Sequence, residues 1–417
     1  MGLLMDQTKL DEVINKYRNW SLKVLSDLIS IPTVNPPGLN YGEFVEYVKN
    51  ILYDLGMKVD VIKVPKDIVA KYYPDYADYP RYILIARTGS KKPVVHFNGH
   101  YDVVPPGTGW DTDPFKPVIK DGKIYGRGAS DMKGGIVAFL LAIRVFNELF
   151  NDFNGSLEVA LVPDEEIGSL TGTHYMLENN LVMPTYAIIS EPSGEDNLWI
   201  GHRGALRAYV EVYGKQAHGS TPWLGINAFE YMVRVAEKFI NEYTRMIESK
   251  VSSYAYDDPR GARPSITLGG KVLGGNKENV VPGYCAFSID RRLIVEETIE
   301  EVENELKDFI NKIQEEFSNV RLNLKITGKK PPAVTDPKGR LVSTVSNSIK
   351  KVLKKDPRVT VCVGGLDTHF YASKNIEVVT YGPGPVSTAH AANEYLNINE
   401  LFNVAKVYVL TMKELLS

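Results

Sequence analysis

Two histidines and six acids stand out because each sits at or just beyond an apolar, strand-like run, or in a turn or loop between elements. "VVHFNGHYDVV" carries a strand into His100, with Asp102 two residues on. Positions i and i+2 of an extended chain point to the same side. Asp102 can therefore accept the second ring N–H of a metal-bound His100 and fix its tautomer. "ALVPDEEIGS" stops at Pro163 and continues with Asp164, Glu165 and Glu166. Burying adjacent carboxylates is costly unless something positive neutralises them. "YGRGASDMKGG" places Asp131 in a glycine-rich turn before a helix, "IISEPSG" puts Glu191 directly after a strand, and "PGPVSTAHAANEY" puts His390 in a loop. Taken singly, each has an ordinary explanation: a surface His–Asp pair, a helix N-cap, a strand-end carboxylate, a solvated turn, a loop histidine.

Together they ask for metal chemistry. Loops that follow strands form the edge of an α/β sheet where sites are built. Two imidazoles and several carboxylates suit Zn²⁺ or a similar divalent ion, with no thiolate needed. Five ligands are too many for one tetrahedral catalytic site with an open position. They suit two ions sharing a carboxylate, about 3.5–4 Å apart. One of the adjacent glutamates can then be a ligand and the other a general base. Other chemistries lack their motifs: there is no HExxH, GxSxG or GxxxxGK[ST], and the glycines of "GRGASDMKGG" do not fit GxGxxG.

The elements that must position these residues follow from periodicity. The spacing predicts helices over 8–29 and 41–55, then strands at 57–64, 81–87 and 93–98. A helix over 134–150 leads into a strand at 156–162, and a helix over 170–180 into a strand at 185–190. Such alternation implies a mixed or parallel sheet covered on both faces. From 204 the pattern changes to strand, helix (225–246), two strands (264–273, 282–290), helix (297–316) and strand (320–326). That order is the split, ferredoxin-like unit. The fold expected is a three-layer α/β/α catalytic domain, residues 1–200 plus 330–417. Inserted in it is a ferredoxin-like α+β lid at 201–329.

At 417 residues, two domains are the natural expectation, and 44% hydrophobic with 24% charged residues provides ample core. A net charge of -3 without basic blocks argues against nucleic acid. Cys285 and Cys362 are the only cysteines and form no CxxC pair, which fits a reducing compartment. With no signal-type segment and no run long enough to span a bilayer, a cytoplasmic location is expected.

With these residues in place, the chain resembles the co-catalytic zinc family of aminoacylases, acetylornithine deacetylases, succinyl-diaminopimelate desuccinylases and glutamate carboxypeptidases. The matching motifs are "NGHYDVVP", "DGKIYGRGASDMKGG", "PDEEIGS", "SEPSG", "AHGSTPWLGINA", "NVVPGYCAFSIDRRL" and "AHAANEY". The first ninety residues match only in helical character and "SIPTVNPPG". The resemblance implies that His100 and Glu191 hold one ion, and Glu166 and His390 the other. Asp131 would bridge, Asp102 would orient His100, and Glu165 would be the general base. The peptide bond after Asp131 would be cis. The lid would form a homodimer, and His218 would reach the partner's site to polarise the substrate carbonyl. Asn279 and Arg292 would bind the substrate's carboxylate, with Arg291 as the other candidate. "GGLDTHF" stands where the family has GGTDAR-like runs, so His369 is a departure. His96, His174 and His202 are expected to be structural or surface residues.

The implied activity is cleavage of an N-acyl amino acid. A water bridging two ions (zinc, with cobalt or manganese as substitutes) would lose its proton to Glu165 and attack the amide. A dipeptidase or carboxypeptidase would use the same machinery. A silent paralogue that only binds amino-acid ligands is the reading from another class; the complete ligand set speaks against it.

Overall fold

In the computed structural model, which describes residues 7–150 and 152–417, the strands that precede the candidate residues are neighbours. Ser156–Val162, Val94–His100, Tyr186–Ile189 and Glu377–Thr380 run parallel in that order, with His100 opposite Val162, Asn98 opposite Ile189 and Ile189 opposite Thr380. Parallel strands in register end together, so the segments after Val162, Ile189 and Thr380 leave from the edge that His100 occupies. Tyr82–Thr88 and then Lys58–Lys63 extend the sheet antiparallel on one side. Asn197–His202 adds to the other, with Trp199 opposite Thr380.

These strands are apolar because helices cover both faces. On one face strand Val94–His100 meets helix Lys133–Leu149, and its Phe97 stacks on Phe139 and meets Tyr408 edge-on. On the other, Ile83, Ile85, Ala160, Val162 and Ile189 pack with Val69, Met176 and Leu177. Helix Gln7–Lys16 is followed at once by Arg18–Ser30, so the predicted single helix is interrupted at Tyr17. A helix at Lys66–Tyr72 and a small sheet of Val118–Lys120, Lys123–Tyr125 and Tyr395–Asn397 were not legible from periodicity, because each is too short to show a period.

This α/β/α unit takes the chain up to Ile200, with Thr335–Val359 and Phe370–Ser417. A second unit takes Gly201–Val334 with Thr360–His369. Its four-stranded antiparallel sheet has the order Ser265–Gly274, Tyr284–Leu293, Gly204–Tyr213, Arg321–Lys330, which is the ferredoxin-like arrangement. Its helices are Ala228–Lys238, continued through a π-helical turn to Glu248, and Ile299–Glu316, which opens on a Thr298/Glu301 capping box. Leu206, Val210, Val235, Phe239, Leu306 and Ile310 fill its core. The return to the first unit falls at Thr335 rather than 330, because Lys330 still pairs with Ala205 and Ala333 with His202. Thr360–His369 joins the second unit through a Val361–Tyr256 bridge and a hydrogen bond from Arg203 N to the Cys362 carbonyl.

Candidate metal centre

The first unit brings seven predicted residues to one sheet edge. His100 ends its strand and is buried. Asp131 lies just before helix Lys133–Leu149, but it is no helix cap: Met132 holds that position, and the Asp131 carboxylate lies between two imidazoles. The Asp131–Met132 peptide bond is cis. Its Oδ1 is 3.0 Å from His100 Nε2, and its Oδ2 is 3.3 Å from His390 Nε2. Each imidazole also meets a glutamate: His100 Nε2 is 3.4 Å from Glu191 Oε1, and His390 Nε2 is 3.0 Å from Glu166 Oε2. Glu165 offers a carboxylate oxygen within 4.8 Å of ligand atoms of His100 and Glu191.

The electrostatics reflect too many buried acids for the positive charge present. Among the described residues, the ion pairs of Asp131, Glu166 and Glu191 are with His100 and His390, not with lysine or arginine. Burial, with the Asp131 charge adding to it, pushes Glu166 up to about 7. Burial likewise pushes Glu191 up to about 8, against the opposing pull of His100. For Asp131 burial works upward too, but the two imidazoles outweigh it and hold the carboxyl below the usual range. Hydrogen bonds to Asp131 and Glu166 raise His390 to about 10. Burial works to lower His100, yet Glu191, Asp102 and Asp131 outweigh it and raise the ring well above its ordinary value. The site thus retains protons where a cation would fit.

The donor set fits divalent ions. Imidazole and carboxylate atoms bound tetrahedrally to Zn²⁺ at about 2.0–2.1 Å lie about 3.3 Å from one another, and the four nitrogen–oxygen pairs, at 3.0, 3.4, 3.3 and 3.0 Å, are close to that spacing. The tautomer of His100 is set by its own strand end. Nδ1 donates to the main-chain carbonyl of Asp102 at 3.0 Å, while the Asp102 carboxylate is 3.5 Å away. That carboxylate instead accepts the main-chain N–H groups of Glu165 (3.1 Å) and Glu166 (3.2 Å). Asp102 therefore organises the two glutamates as well as facing His100.

Two residues absent from the predicted set shape the centre. Glu394 is fully buried; Oε1 accepts the N–H groups of Ser130 and Asp131, both at 2.9 Å, and Oε2 accepts Gly128 N and Arg127 Nη1. It lies four residues after His390, so one segment supplies a candidate ligand and clamps the turn that carries Asp131. The signal was present, since "AHAANEY" contains the acid, but nothing in its spacing distinguishes it from a solvated one. Lys133 is buried as well; its Nζ donates to the carbonyls of Leu28 and Ile31 at 2.8 Å, and burial lowers it to about 7. It ties the start of helix Lys133–Leu149 to the end of helix Arg18–Ser30.

His218, Asn279, Arg291, Arg292, His202 and His369 lie in the second unit, and His96 and His174 in the first. His218 is exposed, in a short pairing of Ala217–His218 with Val280–Val281, beside Asn279, whose carbonyl accepts Gly219 N at 2.7 Å. His218 Nδ1 accepts from Ser220 N at 3.0 Å. Nε2 therefore carries the ring proton of the neutral form and can donate it to an acceptor. Arg292 is half-buried and paired with Asp290 at 2.7 Å. Arg291 is fully buried and paired with Glu297 at 2.6 Å, which removes it as a substrate ligand. His202 and His369 are buried edge-to-face at 5.3 Å, each donating from Nδ1 to a main-chain carbonyl 2.8 Å away. His96 is buried between Glu158 and Tyr371, and His174 packs on Phe370 and Tyr72.

Residues 96–414 match peptidase family M20/M25/M40. The chain belongs to this family. As an M20 member it is a metal-dependent hydrolase of amide bonds. A succinyl-diaminopimelate desuccinylase of a Nitratiruptor species is 32% identical over 327 residues, covering 77% of this chain and 83% of that one. An uncharacterized metallohydrolase of Methanocaldococcus jannaschii is 31% identical over an alignment 421 positions long, covering 94% of this chain and 98% of that one. The crystal structure of human carnosine dipeptidase 1 shares the fold at a TM-score of 0.73 and 19% identity, covering 97% of this chain and 98% of that one. The M20 match begins at residue 96, so the first two helices, helix Tyr41–Asp54 and the strands Lys58–Lys63 and Tyr82–Thr88 lie outside it.

Proposed function

We propose that this M20 enzyme binds two divalent ions and removes the acyl group from an N-acyl amino acid, as a desuccinylase or deacetylase. The observation that carries this reading is the Asp131 carboxylate, which turns one oxygen to each of two histidine–glutamate pairs. His100 and Glu191 would hold one ion, His390 and Glu166 the other, with Asp131 shared. Zinc is the first candidate and cobalt or manganese the substitutes. Such ions supply Lewis acidity to an amide carbonyl and acidify water beside it.

The chain's own groups do the proton work. Glu165 takes a proton from the attacking water and returns it to the leaving amine. Its main chain is held by Asp102, which fixes the turn that carries the carboxylate. His218 donates from Nε2 to the substrate's carbonyl oxygen, and Arg292 with Asn279 meets its α-carboxylate.

A homodimer through the second unit fits the apolar side chains this unit exposes. Trp223, Leu224, Phe229, Val233 and Ile240 form a stripe leading along its first helix, and the edge strand Ser265–Gly274 exposes Val272 and Leu273. In that dimer His218 would serve the partner's centre. Sedimentation of the protein at micromolar concentration reads the assembly directly. No described helix is long and apolar enough to cross a membrane.

The deciding experiment is amine release by Zn²⁺- or Co²⁺-loaded protein from N-succinyl-diaminopimelate, N-acetyl-ornithine, other N-acyl amino acids and simple dipeptides. Preferential release from one N-acyl class supports the reading. Release from dipeptides alone replaces it with a peptidase, and release from none with both ions bound favours a binding protein.

A further inference from the structure

The turn that carries the two adjacent glutamates is braced by residues from outside the matched M20 segment. Asp164, which precedes Glu165 and Glu166, is fully buried, and its backbone is left-handed with φ +66°. Its Oδ2 accepts Arg81 Nε at 2.8 Å and the Thr171 hydroxyl. Its Oδ1 accepts Asn35 Nδ2 at 3.0 Å and the Tyr41 hydroxyl at 3.1 Å. Asn35 Nδ2 also donates to Asp102 Oδ2, at 2.8 Å. One amide group therefore ties together two buried aspartates. One of them, Asp102, receives the main-chain N–H of Glu165 and of Glu166; the other is bonded in sequence to Glu165. Arg81 is fully buried in turn and is anchored by donating from Nη1 to the Tyr79 carbonyl at 2.7 Å. Asn35 is anchored through its own N–H to the Val103 carbonyl at 2.9 Å.

Two like charges this close, both buried, would repel unless a donor lies between them and a cation lies beside them. Asn35 is that donor and Arg81 that cation. Without them the aspartates would separate, and the turn between Pro163 and Gly168 would move with them.

We infer that Asn35 and Arg81 are positioning residues for Glu165 and Glu166: Arg81 through Asp164, and Asn35 through Asp164 and Asp102. Among the described residues, their side-chain hydrogen bonds to acids go to Asp102 and Asp164, and none goes to the imidazoles or ligand carboxylates, so they act through the turn. The residues they position have their roles under the proposed function, but the bracing itself is a property of the turn and can be read without metal or substrate.

The test uses the full-length protein with Asn35→Ala, Arg81→Met and the double variant Arg81→Met/Asp164→Asn, which removes the buried charge pair together. The first readout is hydrogen exchange of the 164–169 backbone in metal-free protein. Exchange there should rise at least about tenfold in Asn35→Ala while the strand Ser156–Val162 keeps its protection. The second is the visible spectrum of the Co²⁺-loaded protein, which should change shape because Glu166 is displaced. The third, on whichever substrate the panel yields, is a fall in kcat of roughly 10–100-fold with KM changed far less. The double variant should recover thermal stability relative to Arg81→Met without recovering kcat or the wild-type exchange pattern. Unchanged exchange at 164–169 in Asn35→Ala would overturn the inference, as would full recovery of the exchange pattern in the double variant, since a purely structural charge pair predicts that recovery. If no substrate is cleaved or no Co²⁺ is bound, the proposed function fails, while the exchange measurement still decides the bracing.

Discussion

The centre has two halves that are built differently. His100, Glu166 and Glu191 stand at the ends of parallel strands or within a few residues of them, whereas Asp131 and His390 come from a glycine-rich turn and a loop. In the strand half register does most of the placing: once His100 pairs opposite Val162 and Asn98 opposite Ile189, His100 and Glu191 are set, and only the Glu166 turn needs its polar brace as well. The loop half has no ladder to place it, and a buried polar clamp does that work instead. Glu394 gathers four donors from the Asp131 turn, and His390 is held at φ +62°, half-exposed, four residues before it. The difference teaches that backbone pairing suffices for a ligand at or close to a strand end, such as His100 or Glu191, and that further out, in the Glu165–Glu166 turn as in the loop half, the fold must satisfy backbone N–H groups with a buried carboxylate.

The largest effect expected is that of Glu165→Gln, which keeps the turn and its hydrogen bonds to Asp102 but removes the base. Turnover should fall by about 10²–10⁴-fold while metal content and melting temperature stay near wild type. Turnover above a tenth of wild type would show that the strand half does not supply the proton acceptor. The loop half is broken by Glu394→Gln, which leaves Arg127 buried without its counter-charge. A loss of about 3–5 kcal/mol is expected in chemical unfolding, with affinity weakened about 10–100-fold at the ion of His390 and Glu166, and less at the other, where only the shared Asp131 is disturbed. Equal loss of affinity at both ions would mean that the halves are not separable.

The strand half has its own weak point where helix Lys133–Leu149 crosses the strand leading to Glu191. A Cβ on Gly135 would lie 2.1 Å from the Ser190 main-chain oxygen, which cannot swing away. Gly135→Ala should cost about 1–3 kcal/mol by overpacking and displace Glu191 rather than His390. Spectra of the Co²⁺-loaded variant would distinguish the two.

The smallest effect is one of pH. In the metal-free protein His390 is raised to about 10, Glu191 to about 8 and Glu166 to about 7. All three bind protons more tightly folded than unfolded. Their stabilising contribution is therefore complete at low pH and declines as pH rises through those values. Metal-free protein should melt at a lower temperature at pH 9 than at pH 6, and bound ions should flatten that slope. Ion binding should also release protons, visible as a buffer-dependent heat in calorimetry. A metal-free melting temperature that rises from pH 6 to pH 9 would contradict this electrostatic account.

Much of this was legible in the chain. The run "SLEVALV" announces a strand buried on both faces, and Ser156–Val162 is that strand. The acids after it, His100 and Glu191 could be singled out because each interrupts or ends an apolar run, where a charge is costly. The alternation from Gly204 to Tyr213, with helices and turns after it, was enough to specify a ferredoxin-like unit. Less legible were the polar partners. Asn35, Arg81 and Glu394 look like ordinary surface residues in sequence, and all three are buried. Arg291 and Arg292 could not be told apart until one proved to be buried against Glu297 and the other paired at the surface with Asp290.

The amino-acid order by itself determined the types of the elements, the strand-end placement of the candidate ligands and the chemistry that their donor atoms allow. These follow from local periodicity and from the cost of burying charge, which act over a few residues. Only the tertiary structure decided which carboxylate oxygen faces which imidazole, that the Asp102 side chain serves the glutamates' main chain, and which distant polar groups complete the site. Those depend on contacts between residues more than thirty positions apart, such as His100 with Asp131, Asn35 with Asp102 and Arg127 with Glu394, and no local pattern encodes them.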